Sequence, residues 1–345
     1  MGSDEVLIRA VGRVGRITLA RPKALNALSH GMVRSIGEAL RRWRNEGGLD
    51  LIVIDAEGGR AFCAGGDIAA LYESGVAGNF SDGRTFWAEE YEVNARIANC
   101  PIPYLAIMDG IVMGGGVGVS AHGSHRVVTE RSMIAMPECG IGLIPDVGGT
   151  WLLSRAPGHL GEFLGLSGWR MTGADAVLAG FADVFVPSHR LDGLKARLEE
   201  TGSVSALEEF GAEPGVPPLE AHLDFVERHF SGPTALDCLR SLESDGSEMA
   251  RKVAGMIRKG CPLSVACTFE MVRKARHLAK LEEALAREYR FTYRSMSEGQ
   301  FLEGIRALII DKDQKPDWRP ARLEDVSPEM IGRMLAPLGD SELSL

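Results

Sequence analysis

Two glycine-rich segments, Phe62-Cys63-Ala64-Gly65-Gly66-Asp67 and Gly110-Ile111-Val112-Met113-Gly114-Gly115-Gly116, follow shortly after β-type runs and most limit what this chain can fold into. Glycine has no Cβ and takes positive φ at little cost, so such segments end strands in tight turns and let another group approach the main chain closely. The run Leu51-Ile52-Val53-Ile54 is apolar at every position, which marks a strand covered on both faces. Arg16–Ala20, Leu51–Ala56, Pro103–Asp109 and Arg126–Thr129 read as strands, and Met32–Trp43 and Val117–His122 as helices. That alternation predicts an α/β fold with parallel pairing and helical crossovers.

Near residue 200 the pattern changes. From about Leu191 it is helical and charged, interrupted by Glu213-Pro214-Gly215-Val216-Pro217-Pro218, a linker or sharp loop. Arg276–Arg290 and Ser297–Ile310 read as amphipathic helices. The expected division is therefore a core over residues 1–200 and a helical C-terminal region over 201–345. A chain of 345 residues suffices for one large domain with such an appendage.

Composition narrows the function classes. A net charge of -9 argues against broad nucleic-acid binding, which needs a basic face to displace counterions, while leaving an anionic small ligand open. Cys63, Cys100, Cys139, Cys238, Cys261 and Cys267 form no C-x-x-C pair and no metal-like spacing, so reduced structural thiols in a cytoplasmic setting are expected. Met1-Gly2-Ser3-Asp4 begins no basic-then-apolar leader, and no apolar run is long enough to span a bilayer; neither secretion nor a membrane is expected.

The glycine turns and two later carboxylates suggest chemistry. Gly65-Gly66 and Gly114-Gly115-Gly116 could present main-chain N–H groups to a carbonyl oxygen, the second at a helix N-terminus that adds partial positive charge. Each could equally be a plain strand-to-helix turn. Downstream, Met136-Pro137-Glu138 and Pro145-Asp146-Val147-Gly148-Gly149 place two acids eight residues apart, separated by Gly140, Gly142 and Pro145, hence on a loop. Flanked by Pro137 and apolar residues, Glu138 is expected to be partly desolvated, as suits a base; a solvated turn residue or helix cap is the alternative. Asp146 could instead cap a helix over Trp151–Ala156.

Three further patterns carry less. Gly116-Val117-Gly118-Val119-Ser120-Ala121 fits a dinucleotide fingerprint variant with Glu138 about twenty residues on, but Glu138 falls in a Pro/Gly loop instead of ending a strand. His122 and His125 lack the spacing and companion acids of a metal site, so no metal is expected. Position 122 holds His122 where a G-x-S-x-G elbow needs glycine, which disfavours a serine nucleophile.

Several ordered motifs carry a family likeness. Arg21-Pro22-Lys23-Ala24-Leu25-Asn26-Ala27-Leu28, Ala61 through Ile68, and Asp109-Gly110 through Gly118 resemble the crotonase (enoyl-CoA hydratase/isomerase) superfamily over about residues 10–190. The resemblance implies a crotonase-like spiral core of ββα repeats that binds acyl-CoA thioesters. It implies that the N–H groups of Gly66 and Gly115 form an oxyanion hole, and that Cys63, Ala64, Gly65 and Asp67 contact the substrate, the first three at the CoA adenine through their backbone.

The departures from that pattern are informative. Hydratases of the family carry a glutamate two residues beyond the Gly-Gly-Gly turn and another in the later Pro-Glu; here Gly118 stands at the first position and Glu138 remains at the second. The run from Met136 through Gly149 instead resembles the 3-hydroxyisobutyryl-CoA hydrolase branch, as do Glu90-Tyr91-Glu92-Val93-Asn94, Glu288-Tyr289-Arg290, Phe301 through Leu308, and Asp311-Lys312-Asp313 with Pro316, Trp318 and Pro320. Without the resemblance, those tail residues read as a solvated helix and a charged turn.

What the branch implies is hydrolysis of a short 3-hydroxyacyl-CoA thioester, 3-hydroxyisobutyryl-CoA in valine catabolism. Glu138 would serve as base or nucleophile, Asp146 would hold the acyl hydroxyl or orient Glu138 and water, and Glu90 would support that polar end. No cofactor is implied, since CoA is part of the substrate. Lys23 and Arg60 are candidates for the CoA phosphates or ordinary solvated charges. A hydratase or isomerase, a non-catalytic binding protein of the same fold, and a homo-oligomer all stay open.

Overall fold

Leu51–Ala56 forms a strand, and its first five residues are buried, as an unbroken apolar run requires. The preceding helix shows equally local reasons: Ser29 caps its start by accepting from Met32 N at 3.2 Å, and Met32, Val33, Ile36, Ala39, Leu40 and Trp43 recur at helical spacing on the buried side. In this computed structural model residues 5–345 are described, so the expectation drawn from Met1–Asp4 lies outside the described residues.

In chain order, β1 (Val6–Val11) and β2 (Val14–Leu19) precede α1 (His30–Glu46). Then come β3 (Leu51–Ala56), β4 (Ala61–Cys63), α2 (Ile68–Val76), α3 (Ser81–Ala98), β5 (Tyr104–Met108), β6 (Ile111–Met113) and α4 (Gly115–Gly118). Next are β7 (His125–Val128), β8 (Met133–Ala135), α5 (Gly149–Ser154), α6 (Leu160–Ser167), β9 (Met171–Thr172), α7 (Gly173–Leu178), β10 (Val184–Phe185) and α8 (Leu191–Thr201). The remainder is helical: α9 (Ala206–Phe210), α10 (Leu223–Phe230), α11 (Ala235–Asp245), α12 (Glu248–Lys259), α13 (Pro262–Ala275), α14 (Leu281–Ser295), α15 (Phe301–Ile305) and α16 (Pro328–Leu335).

The chain divides into two compact units. The first comprises residues 1–66, 89–135 and 170–221, and holds every strand of the described residues. Its larger sheet has the order β1-β2-β3-β5-β7-β10 and its smaller one β4-β6-β8-β9. Pairs β3/β4, β5/β6 and β7/β8 each send their first strand to the larger sheet and their second to the smaller, always parallel to the preceding pair's strand. This is the ββα repeat that the resemblance implies. Val14, Leu51, Val53, Leu105, Ile107 and Val127 pack against Leu191, Leu194 and Leu198 of α8, so the change of pattern near residue 200 falls on a helix that closes this unit's core.

The second unit comprises residues 67–88, 136–169 and 222–345. Its centre is α13, buried along most of its length and packed against α5 and α6. Glu162 of α6 is fully buried, and the cost of that burial is met by Arg273 at 3.1 Å and Arg276 at 2.7 Å.

Three helices differ from expectation; that over Ser297–Ile310 begins only at Phe301 and turns from α- to π-helix at Arg306. The one expected over Val117–His122 ends at Gly118, and Ser120 Oγ donates back to Gly116 O at 2.6 Å as the chain turns. Arg276–Arg290 is not one helix; the chain breaks after α13, and α14 begins at Leu281. No described helix is long and apolar enough to cross a membrane.

Candidate functional site

In the first unit the segment 21–28 is shaped by Asn26, which is 1% exposed. Its Oδ1 accepts from Arg21 N at 2.8 Å, and its Nδ2 donates to Glu57 O at 2.9 Å and Ala61 O at 2.8 Å. Leu25 and Asn26 both take positive φ, at 51° and 56°. The turn so formed sets Leu28 beside the first glycine segment: Leu28 N donates to Gly65 O at 2.8 Å, and Ala64 N donates to Leu25 O at 3.1 Å.

The second glycine turn packs on the first. A Cβ added at Gly116 would lie 2.4 Å from Cys63 O, so only glycine lets α4 start this close to β4. A Cβ added at Gly115 would lie 3.5 Å from Gly66 N and 2.6 Å from Glu90 Oε1. The structure thus brings Gly66, Gly115 and Glu90 together, with Cys63, Ala64 and Gly65 leading into the same turn. Two neighbouring glycine residues could suit an oxyanion if both N–H groups face it, because a negative oxygen can be met by fixed N–H dipoles without reorganisation. Glu90, on α3, is buried beside them. The Cys63 thiol donates to Gly65 O at 3.5 Å and is pushed up to about 12 by burial, which removes it as a nucleophile near neutral pH.

The second unit holds the other acids. Asp67 stands at the N-cap position of α2 without a side-chain capping bond. Glu138 opens a 3-10 turn over Glu138–Ile141 and is 5% exposed, as its apolar flanks predict. That turn is tied to α13 from two sides: Cys261 N donates to Cys139 O at 2.8 Å, and Cys139 Sγ lies 3.3 Å from Thr268 Oγ1. Asp146 is 4% exposed among buried Leu143, Ile144 and Val147, so its loop is interior instead of surface. It is not the cap of the following helix; Gly148 holds that position, with φ 78°.

Among the other patterns, Lys23 and Arg60 are exposed. His125 Nδ1 lies 2.9 Å from Ser124 Oγ. Among the described residues no group of three or more His, Cys, Asp or Glu could hold a metal ion.

Spacing alone gives no role to Asn26 or to Glu288. The tail helix α14 is not solvated along its length: Leu281, Ala284, Leu285, Glu288, Phe291, Thr292 and Ser295 are buried, and Glu288 is 0% exposed. Glu288 Oε2 accepts from Gly148 N at 2.7 Å, and Oε1 accepts from Thr150 N at 2.9 Å and from Thr150 Oγ1. Burial, with Asp146 adding a like charge, pushes the Glu288 carboxyl up to about 8 against the pull of these donors. The sequence signal was present: Glu288 falls on the apolar stripe of α14.

The comparisons with known proteins agree on the family and differ in the activity that the relatives' names give. A sequence profile described as enoyl-CoA hydratase/isomerase matches residues 14–335. The chain is 44% identical over 350 residues to the 3-hydroxyisobutyryl-CoA hydrolase, mitochondrial, of Rattus norvegicus, covering 98% of this chain and 90% of that one. Against the protein of the same name from Homo sapiens it is 40% identical, covering 99% and 91%. Among solved structures, an enoyl-CoA hydratase from Rhodobacter sphaeroides is 49% identical at TM-score 0.95, covering 99% of this chain and 100% of that one. A carnitinyl-CoA dehydratase from Mycobacterium thermoresistibile is 42% identical at TM-score 0.95, covering 99% of both. The chain belongs to the enoyl-CoA hydratase/isomerase family, in its 3-hydroxyisobutyryl-CoA hydrolase branch.

Proposed function

We propose that this protein hydrolyses a short 3-hydroxyacyl-CoA thioester, 3-hydroxyisobutyryl-CoA foremost, to 3-hydroxyisobutyrate and CoA, as a step of valine catabolism. The observation that carries the reading is Gly118, buried in α4 where a two-glutamate hydratase would hold its first carboxylate, in a chain that keeps Glu138. The N–H groups of Gly66 and Gly115 would take the thioester oxygen as it gains negative charge. Glu138 would deprotonate the attacking water, or attack the acyl carbon itself to give an anhydride that water then cleaves; either way the C–S bond breaks and CoA leaves as the thiol. Asp146 would hold the acyl hydroxyl or orient Glu138 and water, and Glu90 would support that polar end. Cys63, Ala64, Gly65 and Asp67 would contact the CoA end, and no separate cofactor is called for.

A reducing compartment fits the six free cysteines. The relatives named above are mitochondrial, and a cytoplasmic setting would suit the thiols equally. Assembly into a homo-oligomer is part of the proposal only as a family habit.

The test is thiol release from 3-hydroxyisobutyryl-CoA. Glu138→Gln is expected to lose about 10²-fold or more in rate, the usual worth of a positioned base; a rate equal to the parent's would overturn the assignment. A second reading, hydration, is favoured by Glu90, which supplies a carboxylate beside Gly115. Loss of the conjugated absorbance of crotonyl-CoA, without thiol release from the hydroxy ester, would select it.

A further inference from the structure

The segment that carries Asp146 is strained. Val147 has φ 52° and Gly148 φ 78°, two consecutive left-handed residues. That conformation is strained for a β-branched residue, so the surrounding structure must hold it in place. The N–H groups of Gly148 and Thr150 lie at the start of α5, where the first turn offers them no intrahelical acceptor. Both end on Glu288, together with the Thr150 hydroxyl.

Glu288 is an unexpected residue to find there. A carboxyl on the buried stripe of α14 is costly unless its oxygens are satisfied, and an apolar side chain of similar size would serve the packing better. Among the described residues its hydrogen bonds come from the Gly148–Thr150 turn and none from a cation. A group placed for stability alone would be matched with an arginine, as Glu162 is in the same unit. Glu288 instead faces a turn whose preceding residues are Asp146 and the strained Val147.

We propose that Glu288 is the positioning residue for Asp146: by accepting three hydrogen bonds from Gly148 and Thr150 it locks the Val147–Gly148 turn and fixes the direction of the Asp146 carboxylate. This rests on the reading of Asp146 as an active-site group. Glu288 does not touch substrate; it acts through the turn. Replacing one oxygen by an amide sets an NH2 group against an N–H donor, so Glu288→Gln opens one side of the clamp while keeping the volume of the buried side chain.

The experiment is a cycle of Glu288→Gln and Asp146→Asn, each alone and combined, measured by thiol release from 3-hydroxyisobutyryl-CoA together with amide hydrogen exchange. Glu288→Gln is expected to lower kcat about tenfold or more with KM within about twofold of the parent, since the loss is one of aim rather than affinity. In the Asp146→Asn background the same substitution is expected to change kcat by less than about twofold, because residues acting as a unit are not additive. Exchange at the Gly148 and Thr150 amides should accelerate about tenfold or more in Glu288→Gln, with the α13 amides unchanged. Should Glu288→Gln fold poorly, Thr150→Val removes one donor of the clamp and should show a smaller kcat loss of the same kind. Equal fold losses in both backgrounds, or unaltered exchange at Gly148 and Thr150, would overturn the clamp. A parent without thiol release would overturn the proposed function instead, and the exchange measurement would still decide for or against the clamp.

Discussion

A single methyl group is enough to probe the first unit's site. At Gly115 the added carbon would lie 2.6 Å from Glu90 Oε1 and 3.2 Å from Leu28 Cδ1, so the Glu90 side chain must move or the amide must withdraw. Gly115→Ala should therefore cost about 10²–10³-fold in thiol release, the scale of a lost oxyanion donor, while melting within a few degrees of the parent; wild-type activity would show that this amide does not meet the reacting oxygen. Asn26 makes the contrasting case, since its three bonds are architectural. Asn26→Ala strands an N–H and two carbonyls, and also puts a Cβ residue without local hydrogen bonding at φ 56°, so a loss of about 2–4 kcal/mol in urea unfolding is expected. Of these residues, the glycines were legible because their lack of a side chain is itself the signal. Asn26 was legible only as part of a motif, because nothing local to it reveals that Glu57 and Ala61 supply its partners.

At the level of elements, what the chain displays depends on whether an element's reasons are local. β3 was readable end to end because burial on both faces leaves an unbroken apolar run. The loop before α5 was not, since a valine at positive φ contradicts its own propensity and is held by a carboxylate 140 residues away in sequence. α14 supplies the pH prediction. Glu288 rises from 4.5 to about 8 in the folded protein, so between those values the native state holds a proton that the unfolded chain has released. Stability should accordingly fall as pH climbs from about 4.5 to about 8, and Glu288→Gln should flatten that slope; identical melting profiles for the two proteins across this window would contradict it. β2 offers a further test. Arg16 is 3% exposed between Asp55, at 2.6 Å, and Glu199, and Lys195 also reaches Asp55 at 2.9 Å. Arg16→Met leaves one lysine against two acids, and a loss of about 3–5 kcal/mol in denaturant unfolding is expected, the range for breaking a buried pair from one side.

At the level of the whole molecule, the repeat of strand pairs was visible as alternation, and the family resemblance supplied the spiral into which it winds. The partition of the chain was the least legible property, because contacts at long separation decide it: residues 67–88 and 136–169 group with residues 222–345. A chain stopped at residue 221 would contain the whole first unit and only two short pieces of the second, with α5 and α6 lacking α13. Such a fragment should aggregate, its α5 and α6 surfaces bare, whereas the full chain stays dispersed; a monodisperse fragment with two-state melting would count against this. The same interleaving has a consequence for biosynthesis. On the ribosome the first unit cannot close until residue 221 has emerged, and the segments carrying Glu138 and Asp146 wait for more than a hundred further residues before α13 and α14 exist to receive them. Translation order thus puts the acids in the chain early and their seats last, and a stall late in the message would leave both acids without α13 and α14.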